Sequence, residues 1–213
     1  MQKKIRRADP PPYHHGDLRR ALIDTALELV TEEQDWAFSL REVARRAGVS
    51  HQAPYNHFPE KQDLLAAVAV VGFERLRDGM LRAMAGIEDP EALVAVIGRT
   101  YVRLGLENPA LYRLMFGSAL ADVGPGDRPM IARSAGAGAR AVLEDVIQRG
   151  ARSGAFAVPA DSPKDQILAA HVFWSAVHGL TTLAIDGLMA AGVTVDDVIE
   201  RLLRTEIKGL RTP

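Results

Sequence analysis

Apolar residues recur along nearly the whole chain at intervals of three and four, and no segment longer than a few residues alternates with period two. Side chains three or four apart share one helix face, whereas strand faces alternate at every residue, so the pattern predicts an all-α protein. The first helix is expected from Asp17 to Gln34, with Leu18, Leu22, Ala26 and Leu29 or Val30 as its inner stripe. Ser39-Leu40-Arg41-Glu42 has capping-box spacing at the start of a second helix, whose buried face is Leu40, Val43, Ala44 and Ala47. Gly48 follows the last apolar residue, where a left-handed C-cap suits glycine, and Ser50 stands where it can cap a short third helix. A long amphipathic helix runs from Glu60 to about Ala85. Breakers at Asp89-Pro90, Asn108-Pro109, Gly124-Pro125-Gly126 and Ser162-Pro163 divide the remainder into helices near 90–106, 110–118, 128–152, 164–189 and 195–210.

The chain has 213 residues, of which 47% are hydrophobic, enough to bury a sizeable core. No run of 18 apolar residues occurs, and the N-terminus is charged and then proline-rich, which predicts a cytoplasmic protein with no membrane partner. The absence of cysteine removes disulfides, thiolate zinc sites and cysteine nucleophiles. With a net charge of −1, any contact with nucleic acid must rest on local charge.

Two short helices joined by a glycine-containing turn make a helix-turn-helix, whose second helix enters the DNA major groove. The stretch "SHQAPYNHF" (50–58) is poor in aliphatic residues, yet His51, Gln52, Tyr55, Asn56 and His57 offer donors and acceptors suited to base edges. Pro54 falls at the edge of the first turn if Ser50 is the cap, and there it shortens the helix without forbidding it. Arg19 and Arg20 are expected in the first turn of helix 1 and Glu32 and Glu33 in its last, opposite to what the helix dipole favours. A phosphate at that N-terminus would account for the inversion. Arg41, Arg45 and Arg46 form a second basic cluster, and "KKIRR" (3–7) is either an arm for the minor groove or a tail.

The segment "FSLREVARRAGVSHQAPYNHFPEKQDLLAAV" resembles the DNA-binding domain of TetR/AcrR transcriptional regulators. "YHHGDLRRALIDTALELV" is similar to helix 1 in one branch of that family, and "WSAVHGL" resembles the Trp-x3-His-Gly signature of a WHG-type C-terminal domain. The resemblance implies a three-helix DNA-binding head over 1–62 and an antiparallel helical ligand-binding and dimerisation domain over 63–213. It further implies that His51, Gln52 and Ala53 face base edges while Tyr55, His57 and Lys61 approach phosphates, with Phe58 and Leu40 in the core. Arg19, Arg41, Ser50 and Asn56 complete the expected DNA-binding set. Members usually end helix 1 in a glycine; here the chain reads "EEQDWAF", so that exit is expected to differ.

Farther along, His171, Trp174 and His178 share one helical stripe that is either satisfied core or the wall of a small-molecule cavity, which Tyr101, Tyr112, Met115 and Phe116 could complete. His171 and His178 sit seven residues apart, about 10 Å at 1.5 Å per residue, too far to share one metal ion. Neither a metal nor a cofactor is expected. Leu168, Val172, Ala176 and Leu183 on one late helix, and Ile199, Leu202, Leu203, Ile207 and Leu210 on the next, supply more apolar stripe than one small core needs, predicting a homodimer on an inverted-repeat operator. No phosphate loop, carboxylate pair or activated nucleophile argues for an enzyme. An architectural DNA binder should carry strong positive charge or an apolar wedge. The expected function is therefore sequence-specific transcriptional regulation, with repression relieved by a small-molecule effector.

Overall fold

Leu22, Ala26, Leu29 and Val30 carry one face of α1 (His15–Glu33) into the interior, all at 0% exposure. The computed structural model describes residues 15–117 and 128–211. The basic arm at 3–7, the side chains of His14, His15 and Asp17, and the Gly124-Pro125-Gly126 breaker lie outside the described residues. After α1 come α2 (Leu40–Arg46), a 3-10 turn (Ala53–Asn56), α3 (Lys61–Ala83), α4 (Pro90–Glu107), α5 (Pro109–Phe116), α6 (Arg128–Ser153), α7 (Pro163–Ile185) and α8 (Val195–Leu210). No strand occurs among the described residues; Phe156 and Arg211 form a single isolated bridge.

Caps fix several of these boundaries. Ser39 Oγ accepts the Glu42 N–H at 3.2 Å, Asp89 accepts that of Ala92 at 2.9 Å, and Thr194 and Asp197 exchange hydrogen bonds at 3.1 Å as a capping box. The C-terminus of α2 closes as a Schellman motif: Val49 N–H donates to Ala44 O and Gly48 N–H to Arg45 O, with Gly48 at φ 70°. The exit of helix 1, expected to differ locally, turns on Gln34 and Asp35. Gln34 takes the left-handed conformation, φ 56°, that a glycine would adopt without strain, and its Nε2 donates to Thr31 O at 2.7 Å. Asp35 then accepts from Ala37 N–H at 2.9 Å, turning the chain toward α2.

Two apolar clusters meet along α3. The first half of that helix, with Leu64, Leu65, Val68 and Ala69, packs with α1, α2 and Phe58; the second half, with Phe73, Leu76 and Met80, joins α4, α6 and α7. Leu111 and Leu114 of α5 and Ala132 of α6 belong to the head cluster, so packing crosses the division expected at residue 62. The most extensive helix pair is α3 against α6.

The stripe expected to form a dimer seam divides unequally. On α8, Ile199 (5% exposed) and Leu203 (2%) turn into their own subunit, because Gly98 of α4 leaves room for the Leu203 side chain. Leu202, Ile207 and Leu210 also pack against that core. On α7, Leu168, Val172 and Leu183 are exposed by 57%, 53% and 46%. Among the described residues α7 alone is long and apolar enough to cross a membrane, by length and composition, but its inner face carries Ala170, Phe173, Val177 and Leu180 into the core.

Close approach of α4 to α7 depends on Gly105. A Cβ there would stand 2.4 Å from Thr181 Cγ2 and 3.0 Å from the Tyr112 ring. Thr181 is fully buried and its hydroxyl is held on Val177 O at 2.7 Å, so it has no room to yield. Gly105→Ala is expected to destabilise the protein by about 1–3 kcal/mol through overpacking, read as a lower denaturant midpoint at unchanged slope.

Candidate DNA-binding surface and ligand cavity

The segment expected to be an α-helical recognition element is shorter. Pro54 has no N–H to give the Ser50 carbonyl and its ring crowds that group, so Ser50 O instead accepts from Ala53 N–H at 3.0 Å and the chain winds as a 3-10 turn. Ser50 makes no side-chain cap; Gln52 occupies the N-cap position. The Pro54 carbonyl receives both His57 N–H, at 3.0 Å, and Phe58 N–H, at 2.8 Å, while Pro59 stops further winding. Pro54 and Phe58 are buried and act as anchors. Ser50, His51, Gln52, Tyr55 and Asn56 are exposed, and Ala53 and His57 are half-buried.

Basic side chains around this turn fall into two groups. Arg45 is tied to Glu42 at 2.6 Å and Arg46 to Glu32, so the three-arginine cluster expected on α2 reduces to Arg41, which is exposed and has no ion-pair partner among the described residues. The Arg19 guanidinium lies 5.1 Å from the Phe58 ring centroid, which sets the N-terminal part of α1 beside the recognition turn. Because α1 begins at His15, Arg19 and Arg20 occupy its second turn rather than its first, and Arg20 pairs with Asp24 at 3.6 Å. Lys61 opens α3 with its Nζ 5.2 Å from the Phe38 ring; partial burial pushes its pKa down and Asp35 opposes that shift.

Within the helical bundle lies a cavity of about 460 Å³. Phe73, Leu76 and Met80 of α3, Ile97 and Tyr101 of α4, Met115 and Phe116 of α5, and Phe173, Trp174 and Val177 of α7 line it, with α6 closing the remaining wall. Of the residues expected to bind a ligand, Tyr101, Phe116 and Trp174 stand on this wall. Tyr112 and His178 stand behind it, joined to Tyr101 by hydrogen bonds. His171 does not reach the cavity: its Nδ1 bonds Ile167 O at 3.0 Å and its ring meets Trp174 edge-on, because seven residues of helix place it almost two turns from His178.

The polar groups behind the wall form a connected chain. Trp174 Nε1–H donates to Tyr101 Oη at 3.2 Å, the Tyr101 and Tyr112 hydroxyls lie 3.3 Å apart, and both are within bonding distance of His178 Nδ1, at 2.9 and 2.6 Å. Burial raises the pKa values of both tyrosines and lowers that of His178, so the chain is uncharged at neutral pH. Arg140, which sequence reasoning did not single out, also lines the cavity. Its signal was faint: one arginine in the Ala/Gly-rich stretch "SAGAGARAVLE".

A capped helix, a Schellman turn and a polar recognition turn, joined by α3 to a bundle with an apolar cavity, define a regulator that binds DNA. The chain belongs to the TetR family: residues 93–205 match the tetracyclin repressor-like C-terminal domain and residues 22–68 match the bacterial regulatory proteins of the tetR family. It is thus a TetR-family DNA-binding transcriptional regulator. A structure of a protein of unknown function from Rhodococcus sp. RHA1 is 33% identical, covers 95% of this chain and all of that one, and superposes with a TM-score of 0.77. A TetR/AcrR-family transcriptional regulator from Thermobifida fusca shares the fold at 21% identity and a TM-score of 0.64, over 92% of this chain and all of that one. The HTH-type transcriptional regulator BetI of Rhizobium meliloti is 33% identical over 85 residues, 40% of this chain and 42% of that protein. The chain spans half the length or less of the curated relatives it matches.

The lowered pKa of His178 has a definite sign in stability. In the unfolded chain the imidazole takes a proton near pH 6.5, whereas the folded protein resists protonation to a lower pH, so the unfolded state binds more protons between those values. Stability contributed by a neutral His178 is full above about pH 6.5 and is lost as pH falls below it. Glu42, Glu91 and Glu200, held low by arginine partners, act only below their ordinary value of 4.5. His178→Gln is expected to flatten the loss between pH 7 and 5 while leaving the steeper acid limb; denaturant titrations at stepped pH read both.

Proposed function

We propose that this protein is a repressor that a small molecule releases from its operator. The observation that carries this reading is that α3, which forms one wall of the 460 Å³ cavity, begins at Lys61, directly behind the recognition turn. The size falls within the range of ordinary small-molecule sites, and the lining is mostly aromatic and aliphatic. A ligand between Phe73 and Phe173 would bear on α3 and on α5 together. On α5, Phe116 and Met115 face the cavity while Leu111 and Leu114 pack in the head cluster, and Arg113 ties the helix to Ile185 O and Asp186 at the end of α7. The short helix is a second route from cavity to head.

Regulators of this family bind operator DNA as dimers. For this chain the exposed stripe of α7 is the proposed twofold seam: Leu168, Val172, Ala176 and Leu183 follow one face, and Gly179 between them leaves open space for a partner helix. A dimer must fit two major grooves at once, so an inverted-repeat operator follows, and a small change in head separation costs affinity. By linkage, operator and effector then weaken each other equally.

Operator selection from random DNA, followed by shift assays with titrated salt, tests the reading. Gln52→Ala or His51→Ala is expected to change the preferred sequence, at about 1–3 kcal/mol per base contact. Arg41→Ala and Lys61→Ala should instead weaken all sequences alike and reduce the salt slope. Val172→Glu is expected to give a monomer by sedimentation and to abolish tight operator binding. A dimer that persists in Val172→Glu would place the seam elsewhere. In a Trp36→Phe background Trp174 is the sole tryptophan, and an effector is expected to shift its emission as DNA is released.

A further inference from the structure

We propose that the effector is an apolar monocarboxylate whose anion is held by Arg140. This inference rests on the reading of the cavity as the effector site, and it adds the chemical class of the occupant. Among the described residues, Arg140 is the one formally charged side chain on the cavity wall. Its Nε donates to Glu144 Oε1 at 3.1 Å, one turn along α6, and among the described residues its two Nη groups have no partner. A guanidinium presents five donors in a planar fork that matches a carboxylate through two parallel bonds, so one edge remains for a ligand.

About a third of the Arg140 side chain is exposed, 36%, which keeps the cation hydrated while the cavity is empty and lets a carboxylate reach it without first breaking a buried pair. Among the described residues the remainder of the wall offers no second cation. An occupant with two negative charges would leave one of them unpaired against a mostly apolar wall, which is costly. Phe73, Ile97, Phe116, Phe173 and Val177 instead suit a hydrocarbon body. At the far polar point, Tyr101 Oη already accepts from Trp174, and its own proton is directed toward Tyr112 or His178. The charge on Arg140 is therefore the feature of the wall that sorts ligands by chemistry. Glu144 works against it, since its carboxylate competes for the same guanidinium.

The test uses the full-length Trp36→Phe protein, with Trp174 emission and calorimetry as readouts. The probes are octanoate, decanoate and 4-phenylbutyrate, each paired with its primary amide and kept below micelle-forming concentrations. At least one acid is expected to bind about tenfold more tightly than its amide, the order of magnitude of a hydrogen-bonded ion pair. Arg140→Gln should bring that ratio close to one while leaving amide affinity unchanged, and Glu144→Gln should raise it. Unchanged amide binding also shows that the Arg140→Gln protein is folded. Acid and amide binding alike to the parent, or an acid preference that survives Arg140→Gln, would overturn the role of Arg140 and leave the cavity reading intact. If no acid or amide binds and Trp174 is silent, both the cavity reading and this inference fail.

Discussion

The rest of the architecture depends on α3 being buried at both ends in different company. Its 23 residues span about 34 Å at 1.5 Å per residue, enough to reach from the recognition turn to the cavity. Leu64, Leu65 and Val68 belong to the head cluster, while Phe73, Leu76 and Met80 belong to the bundle. Gly72 falls at the changeover, where a Cβ would stand 2.6 Å from Met115 Sδ. Met115 packs against both clusters from α5, and its long unbranched side chain fills an irregular junction better than a branched one would. A helix interior transmits displacement because its hydrogen bonds and close packing resist local deformation. Head and bundle therefore cannot reorient independently without disturbing α3 or α5.

Much of this was legible in the sequence because helices announce their faces. The inner stripe of α1, the Ser39 cap, the Gly48 turn and the Asp89-Pro90 start of α4 each follow from local rules that the structure obeys. Pro54 is the ambiguous residue: it does lie in a first turn, but that turn is 3-10 and is preceded by Gln52 rather than capped by Ser50, because crowding of Ser50 O removes the α-helical bond that would have lengthened the element. Gln34 shows the converse, a position whose left-handed backbone suits glycine and which a residue with a side chain has taken at some strain.

What could not be read is which of two similar stripes meets the core. Leu168 and Val172 on α7 are as apolar as Ile199 and Leu203 on α8, yet the first pair is exposed and the second buried. The deciding residue, Gly98, lies about a hundred positions earlier, where its missing side chain admits Leu203 and Phe173. Periodicity within one helix carries no information about a groove on another. Arg140 was missed for the same reason: nothing in its neighbourhood along the chain distinguishes it from a solvated arginine, and its meaning comes from α3, α4, α5 and α7 surrounding it.

The apolar character of the cavity limits how its occupant can be chosen. An extra or missing methylene in such a pocket changes affinity by only about 10- to 200-fold, since dispersion and desolvation grade smoothly with size. A polar or charged contact discriminates more sharply, because the wrong partner leaves a group unsatisfied in a dry site. Among the described residues two such points stand out on the wall, the Arg140 guanidinium and the Tyr101 hydroxyl. Tyr101 is already engaged by Trp174 and by the Tyr112–His178 pair, so a ligand that claimed it would have to rearrange three partner side chains on two helices, α5 and α7. That coupling gives the two points different consequences. On the proposed reading Arg140, about a third exposed, selects a ligand with little effect on the bundle. Any contact that redirects Tyr101 propagates through Tyr112 into α5, and so toward the DNA head. The proposal thus assigns selection and response to different polar groups around one hydrocarbon-lined space.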